Sequence, residues 1–358
     1  MPRPTARRSA LSRWDPLTVG IDIGGTKVLG GVVDAAGQVL ARERRDTPGR
    51  SAEAVEDTIV EIVRLLGRVH DVAAVGIGAA GFVDAARASV LFSPHLAWRD
   101  EPVRDAVRDR LGLPVVVDND ANAAALAESK FGSGRGHRFV LCVTLGTGIG
   151  GAIVMDDRVY RGAGGMAGEF GHMQVVPDGH RCPCGNRGCW EQYASGNALV
   201  RDARELLVAD SPVAHTLRER TGGDPARLTG PMVTEAARDG DPLARELLGD
   251  MGRWLGVGLA NLTAAFDPGC IVVGGGVSAA GELLLAPTRE AFSRQLVGRG
   301  HRVEPAIVQA ALGPEAGFIG AADLARSAAR RSRRRARRTS RAARDREALR
   351  LRFRGDDG

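Results

Sequence analysis

No run of apolar residues in this sequence approaches the ~20 that a membrane-spanning helix needs, although 44% of its 358 residues are hydrophobic. Residues 1–15 carry several arginines and lack the apolar stretch of a secretion signal. Cysteine occurs only five times, and an odd number in so long a chain argues against a disulfide framework. We therefore expect a cytoplasmic protein without a membrane partner, and a chain long enough to form about two domains.

Lysine is also scarce: the sequence contains only Lys27 and Lys130. Arginine therefore carries nearly all the positive charge. The net charge is +6, of which residues 328–358 contribute +9, so the remainder carries −3. A weakly acidic body gives no reason to expect specific binding of nucleic acid. We expect residues 1–16 to be a disordered extension, and residues 327–358 to be an Arg-rich tail that is disordered or forms a solvated helix.

Two stretches of the sequence share one plan of strand, glycine-rich turn, strand, short polar turn and strand. In both copies a Gly-Gly pair, at 30–31 and at 150–151, lies nine residues before the valine of the last strand. Such a repeat predicts two similar α/β domains. We place a small domain at 17–131, completed by a C-terminal helix around 314–326, and a larger, more helical domain at 132–313.

Between the two copies the pattern alternates between helix and strand. We predict a helix from Ser51, as its N-cap, to Val69, a second helix at about 101–111, the strand PVVVDND, and a third helix over 121–131. After the second copy come a Cys-rich loop, a helical region and the strand CIVVGGGV. Beyond that strand we predict only helices, which end near residue 325.

Three glycine-rich turns are candidates for holding a nucleotide. The first, DIGGTK, offers backbone amides to a phosphate, and its aspartate can face a cation; a plain β-turn is the alternative. DIGGTK is not a Walker P-loop. The second turn, LGTGIGG, matches a dinucleotide fingerprint only weakly, because a strand follows it where that fingerprint needs a helix. The third, GGGV, lets an adenine lie against backbone, or is a tight turn. The residues of interest are Asp22, Gly24, Gly25, Thr26, Lys27, Gly146, Thr147, Gly148, Gly275 and Gly276.

The segment VVVDNDANAAA places Asn119 and Asp120 where a strand ends and a helix begins. A helix N-terminus favours the ionised form of Asp120, and a fixed carboxylate can accept a hydroxyl proton. The alternative is an aspartate that only caps the helix.

A further cluster of chemistry-bearing residues occupies the Cys-rich loop. His172, Cys182, Cys184 and Cys189 supply one imidazole and three thiols within eighteen residues. This donor set suits a closed, tetrahedral zinc site of the structural type, and unligated cysteines are the alternative. Glu169 and Glu191 flank the cluster, so a zinc ion would fix the loop 169–191 that carries them.

These motifs, DIGGTK, DNDANAA, LGTGIGG, GEFGH with CPCGNRGCWEQYASG, and GGGV, stand in the order found in the ROK (repressor, open reading frame, kinase) sugar kinases. The chain resembles that family from about residue 19 to 325, and looks most like its bacterial ATP-dependent glucokinases. The resemblance implies the actin-like ATPase fold of two ribonuclease-H-like domains with an interdomain cleft. It also implies a homodimer or homotetramer that uses ATP, Mg²⁺ and structural Zn²⁺.

By the same resemblance, Asp120 would be the general base that accepts the proton of the 6-hydroxyl of glucose. The other sugar hydroxyls would be held by Asn119, Glu169, His172 and Glu191, and ATP by the three glycine turns. Many members carry Pro-Gly where this chain has Ala80-Gly81, so the resemblance assigns Gly81 to the sugar loop less firmly.

Two other classes of function stay open. The family includes sugar-responsive repressors, but only twenty-one residues precede Asp22, too few for their winged helix-turn-helix domain. A binding-only pseudokinase is disfavoured by the intact hairpins and Asp120. Within the kinase class, another hexose or an N-acetylhexosamine could replace glucose, and polyphosphate could supplement ATP.

Overall fold

The computed structural model describes residues 15–48, 51–94 and 96–333, and the chain divides into two compact units. Unit 1 runs to Asp120 and takes in the chain again from Ala321, and unit 2 is Ala121–Gly320. The division after Asp120 falls at the start of the helix that the sequence analysis assigned to the first domain. Among the described residues, no helix combines the length and the apolar character that crossing a bilayer requires.

The elements follow one another along the chain in an alternating α/β order. They are β1 (Leu17–Ile23), β2 (Lys27–Val33), β3 (Val39–Asp46), α1 (Ala52–Gly67), β4 (Val72–Ala79), β5 (Phe82–Val83), β6 (Val90–Phe92), β7 (Arg99–Glu101), α2 (Val103–Leu111), β8 (Val115–Asn119), α3 (Asp120–Phe131), β9 (Phe139–Leu145), β10 (Ile149–Met155), β11 (Arg158–Tyr160), α4 (Glu191–Ala194), α5 (Gly196–Val208), α6 (His215–Thr221), α7 (Gly230–Arg238), α8 (Pro242–Phe266), β12 (Cys270–Gly274), α9 (Glu282–Gln295), β13 (Ala306–Gln309) and α10 (316–333).

Unit 1 is built on a five-stranded sheet of order β3-β2-β1-β4-β8. The first three strands are antiparallel neighbours, whereas β1, β4 and β8 run parallel. Helix α1 begins as predicted, because the Ser51 hydroxyl accepts a hydrogen bond from the Ala54 N–H at 3.2 Å. Its apolar face, which includes Ile59 and Ile62, is buried in the core of this unit, and the helix packs against β1, β2 and β3.

Unit 2 repeats the same plan with the sheet β11-β10-β9-β12-β13. Here too three antiparallel strands precede two parallel ones, so the internal repeat expected from the sequence is confirmed. The core of this unit is larger and mostly helical, and the long helix α8, which the Asp241 carboxylate caps at the Ala244 N–H, contributes many of its buried residues.

Three features correct the expectations from sequence. Strand β13 lies where only helices were predicted, and β5, β6 and β7 form a small sheet that had no assignment. Helix α10 continues to 333, with Ala329 buried and Arg330 paired with Asp15, so the bound of the tail at 327 was wrong. The rest of the expected tail, and residues 1–14 of the expected N-terminal extension, lie outside the described residues.

Candidate functional site

The first glycine turn is a short hairpin between β1 and β2 in unit 1. The Gly24 N–H donates to the Lys27 carbonyl at 3.0 Å, which closes the turn and leaves Gly25 and Thr26 exposed. Thr47, just beyond β3, braces it from the side: its hydroxyl donates to the Gly24 carbonyl at 2.8 Å and its N–H to the Thr26 carbonyl at 3.1 Å. Exposed amides on a braced turn suit an anion such as phosphate.

Thr47 was not singled out in the sequence analysis. A threonine that follows a strand carries no signal of its own, and its role depends on the pairing of β3 with β2, which brings it beside the turn.

Asp22 lies in β1 directly before this turn, between Leu29 of β2 and Gly78 of β4 in the sheet register. The pKa of the Asp22 carboxyl is raised from 3.8 to about 7, by burial first and by the negative charge of Asp120 second, while the charge of Lys27 lowers it. The structure therefore brings two carboxyl groups and one ammonium group close together within unit 1. Such a pair of carboxyl groups cannot both ionise without cost, unless a cation neutralises them.

Asn119 ends β8 and Asp120 is the first residue of α3. The Asn119 side-chain amide donates to the Gly81 carbonyl at 3.1 Å, so Gly81 and Asn119 are in direct contact. The partial positive charge at the N-terminus of α3 gives the Asp120 carboxylate a positive electrostatic environment. That environment favours an ionised Asp120 and a carboxylate that can accept a proton.

The second glycine turn, Gly146–Gly148 in unit 2, also forms a hairpin, between β9 and β10. The Gly146 N–H donates to the Gly148 carbonyl at 3.0 Å, and the Gly196 N–H at the start of α5 donates to the Gly146 carbonyl at 2.8 Å. A Cβ atom on Gly148 would come within 2.4 Å of the Glu191 carboxylate. Glycine at 148 therefore lets Glu191 lie directly against the hairpin.

The third glycine turn follows β12, and Gly275 brings it against the second one. Its φ of +83° is left-handed, and a Cβ atom there would lie 2.4 Å from the carbonyl oxygen of Leu145, the last residue of β9. No other residue tolerates this backbone contact. Gly276 has open space where its side chain would be, as a surface that receives a flat ring requires.

The thiols and the imidazole of the Cys-rich loop converge within unit 2. One ligand atom each from His172, Cys182, Cys184 and Cys189 lies within 4.8 Å of the others. All five cysteines are described and free of disulfides, and Cys142 and Cys270 lie away from the cluster, buried in strands β9 and β12. His180 lies outside this cluster, and its ring contacts the Tyr193 ring in a tilted arrangement with the centroids 5.2 Å apart.

The spacing of these atoms fits a tetrahedral zinc ion. Ligand atoms about 2.3 Å from a central ion in tetrahedral geometry are roughly 3.8 Å apart. The Cys184 and Cys189 sulfurs are 3.6 Å apart, and the Cys182 sulfur is 3.7 Å from Nδ1 of His172. The four residues therefore fit a closed Cys₃His site.

The two flanking glutamates occupy different positions around this cluster. Glu191 is mostly buried, and its carboxylate accepts from the Cys182 thiol at 3.1 Å and lies 3.7 Å from His172 Nδ1. Glu169 is exposed, immediately before the short 3₁₀ turn Phe170–His172. Unit 2 therefore joins Glu191, His172, the three cysteines and the second glycine hairpin in one continuous cluster.

Two units of the same strand order, each with a glycine hairpin between its first two strands, define an α/β protein of the actin-like ATPase fold. A family model described as the ROK family matches residues 18–328, and the chain belongs to that family.

The relatives include enzymes and a regulator. A glucokinase of Streptomyces coelicolor is 49% identical over 310 residues, which are 87% of this chain and 98% of that protein. The crystal structure of a ROK family glucokinase from Streptomyces griseus in complex with glucose and AMPPNP is similar, with a TM-score of 0.79 and 51% identity over 87% of this chain and 99% of that one. The xylose repressor of Bacillus subtilis is 27% identical over 85% of this chain and 75% of the repressor.

Proposed function

We propose that this protein is an ATP-dependent glucokinase, which transfers the terminal phosphoryl group of ATP to the 6-hydroxyl of glucose. The observation that carries the proposal is 49% identity to a glucokinase over nearly the full length of that enzyme. The resemblance at 51% identity to a solved ROK glucokinase in complex with glucose and AMPPNP also supports it.

We assign the base to Asp120, because its carboxylate lies where a helix N-terminus favours ionisation. Phosphoryl transfer depends on positioning and on charge neutralisation more than on covalent chemistry, so one well-placed carboxylate is enough. Asn119, whose amide is already fixed on Gly81, would hold a neighbouring sugar hydroxyl. Glu169, His172 and Glu191 of unit 2 would hold the remaining hydroxyls.

For the nucleotide, we assign the phosphates to the hairpins at 24–27 and 146–148 and the adenosine to Gly275 and Gly276. The exposed amides of both hairpins and the open space at Gly276 support this assignment. Asp22 would face Mg²⁺, which when bound neutralises charge on the phosphates. The closeness of the Asp22 and Asp120 carboxyl groups supports a cation at this place, because two neighbouring negative charges repel each other unless a cation neutralises them.

We further propose that His172, Cys182, Cys184 and Cys189 hold a structural zinc ion. Their fit to tetrahedral spacing supports this. The ion would fix the loop on which Glu169 and Glu191 stand, and the chemistry of transfer would not pass through it. The family resemblance also supports a cytoplasmic homodimer or homotetramer.

A coupled assay with purified protein tests the function. Glucose should give the highest kcat/KM of a panel that includes fructose, mannose, galactose, glucosamine and N-acetylmannosamine, with ATP preferred to polyphosphate. If glucose binds but is not phosphorylated with either donor, the chain is a sugar-binding regulator. A higher kcat/KM for another hexose would keep the kinase and replace the substrate.

A further inference from the structure

Strand β8 ends at Asn119, directly before Asp120, and next to this end lies an ion pair with a buried carboxylate that the mechanism above does not use. Asp118, the residue before Asn119, has a side chain only 2% exposed, and its Oδ2 lies 3.1 Å from Nε of Arg87. The other oxygen of the same carboxylate, Oδ1, accepts the backbone N–H of Asn119 at 3.1 Å. One carboxylate therefore links an arginine on a neighbouring turn to the main chain of the proposed sugar-binding residue.

The turn that carries Arg87 has a defined backbone conformation, which hydrogen bonds hold in place. Arg87 has a φ of +58°, a left-handed backbone that costs a non-glycine residue free energy. The Asp84 carboxylate holds the turn closed by accepting the N–H groups of Ala88 and Ser89 at 2.7 and 3.1 Å. The Arg87 carbonyl in turn accepts the Val117 N–H at 3.4 Å, so the turn lies along the open edge of β8.

Asn119 is consequently held from two directions by one hairpin, β5–β6 with its turn. Gly81, just before β5, accepts from the Asn119 side chain, and Arg87, in the turn, fixes Asp118 and through it the Asn119 N–H. We propose that Arg87 and Asp118 are positioning residues, which set the orientation of Asn119 and Asp120 toward the sugar. The proposal rests on the proposed function, and it assigns neither residue a contact with substrate.

Purified Asp118→Asn protein tests this. An amide is nearly the same size and can still accept the Asn119 N–H, but it loses the ion pair that orients the carboxylate. We expect the KM for glucose to rise and kcat to fall, with kcat/KM for glucose reduced roughly tenfold to a hundredfold, since misplacement of ~1 Å is enough for this. The KM for ATP should stay within about twofold.

Asp323→Asn is a matched control. Asp323 and Arg326 also form a buried ion pair in unit 1, with side chains 9% and 1% exposed, but on α10. Both variants should lower the melting temperature, and only Asp118→Asn should change the KM for glucose, assayed well below either melting temperature. Equal kinetic changes in the two variants would show a general loss of stability and overturn the proposal.

Arg87→Asn examines the other partner, because asparagine tolerates left-handed backbone and so keeps the turn. If Arg87 acts through Asp118, the double variant should be no slower than the slower single variant, whereas independent effects would add. Additive effects on kcat/KM for glucose would refute the coupling. Wild-type protein that fails to phosphorylate glucose would refute the proposed function instead, before any variant is compared.

Discussion

Asp120 begins a helix, and this position allows a specific test of its role as the base. Asp120→Asn keeps the size of the side chain and removes its ability to accept a proton. We expect kcat for glucose phosphorylation to fall by about 10²-fold or more, the range for loss of a general base. Calorimetry should show glucose and ATP binding retained. With binding intact, a fall in kcat of less than tenfold would rule out Asp120 as the base.

Asp22 provides a prediction about pH. Its pKa is raised to about 7 in the folded chain, by burial first and the charge of Asp120 second, from the ordinary 3.8. The folded state thus holds this proton more tightly than the unfolded state. The stability that it contributes is fully present below pH ~4 and is lost as pH rises through about 7.

Asp22→Asn removes that titration. In the absence of nucleotide and Mg²⁺, the free energy of unfolding of the variant should rise relative to wild type between pH 5 and 7, by up to about 1.4 kcal/mol per pH unit. Urea unfolding at several pH values measures the difference. The exposed Asp71→Asn serves as a control and should show no such trend. A difference independent of pH would mean that Asp22 is ionised throughout.

The loop 169–191 brings three thiols and one imidazole close enough to bind one ion, and backbone hydrogen bonds such as Cys182 N–H to the Asn186 carbonyl at 2.9 Å also hold it. Purified protein should contain about one zinc ion per chain. Cys184→Ala should raise the KM for glucose and should change the melting temperature little. Cys270→Ala, which removes a buried thiol of β12 away from the cluster, should leave the zinc content unchanged. Protein free of zinc after purification without chelator, together with a fully active Cys184→Ala variant, would refute the site.

The strands and helices with strong periodicity could be predicted from sequence, and so could the repeat, because Gly-Gly pairs and alternating apolar residues occur in both copies. The chemistry-bearing motifs were equally visible. Strands β5, β6, β7 and β13 were not, since they have two to four residues and their pairing depends on neighbours far along the chain. Arg87 and Thr47 were missed for the same reason: their partners, Asp118 and Gly24, are distant in sequence.

Helix α10 is also longer, and more of it is packed, than its sequence suggested. Its Ala329 is buried and Arg330 pairs with Asp15, in a segment where an arginine-rich composition concealed a packed face. Arg326 is buried as well, and its guanidinium donates to the Pro16 and Val33 carbonyls and to the Thr18 hydroxyl. Composition alone cannot distinguish an arginine that is solvated from one that satisfies buried carbonyls.

For the molecule as a whole, helix α10 determines how far the C-terminus can be shortened without loss of stability. A chain that ends after Arg333 should keep its kcat and both KM values within about twofold and its melting temperature unchanged, because it retains every contact of α10 named above. A chain that ends after Arg326 removes Ala329 and Arg330 and should melt several degrees lower. If the chain that ends after Arg333 is folded but loses more than tenfold in activity, residues 334–358 are needed to complete the active enzyme.

The construction of unit 1 from both ends of the chain has a consequence for how the protein is made. The Thr18 hydroxyl donates to the Ala322 carbonyl at 2.8 Å, and Gly76 approaches the Ala321 carbonyl so closely that a Cβ atom there would lie 1.8 Å from it. A ribosome synthesises β1 and β4 first, then all of unit 2, and only afterwards the segment that contains Ala321 and Ala322. The first sheet of the nascent chain therefore lacks the segment that covers one of its surfaces until synthesis is almost complete. The second unit has all the residues of its own core before that.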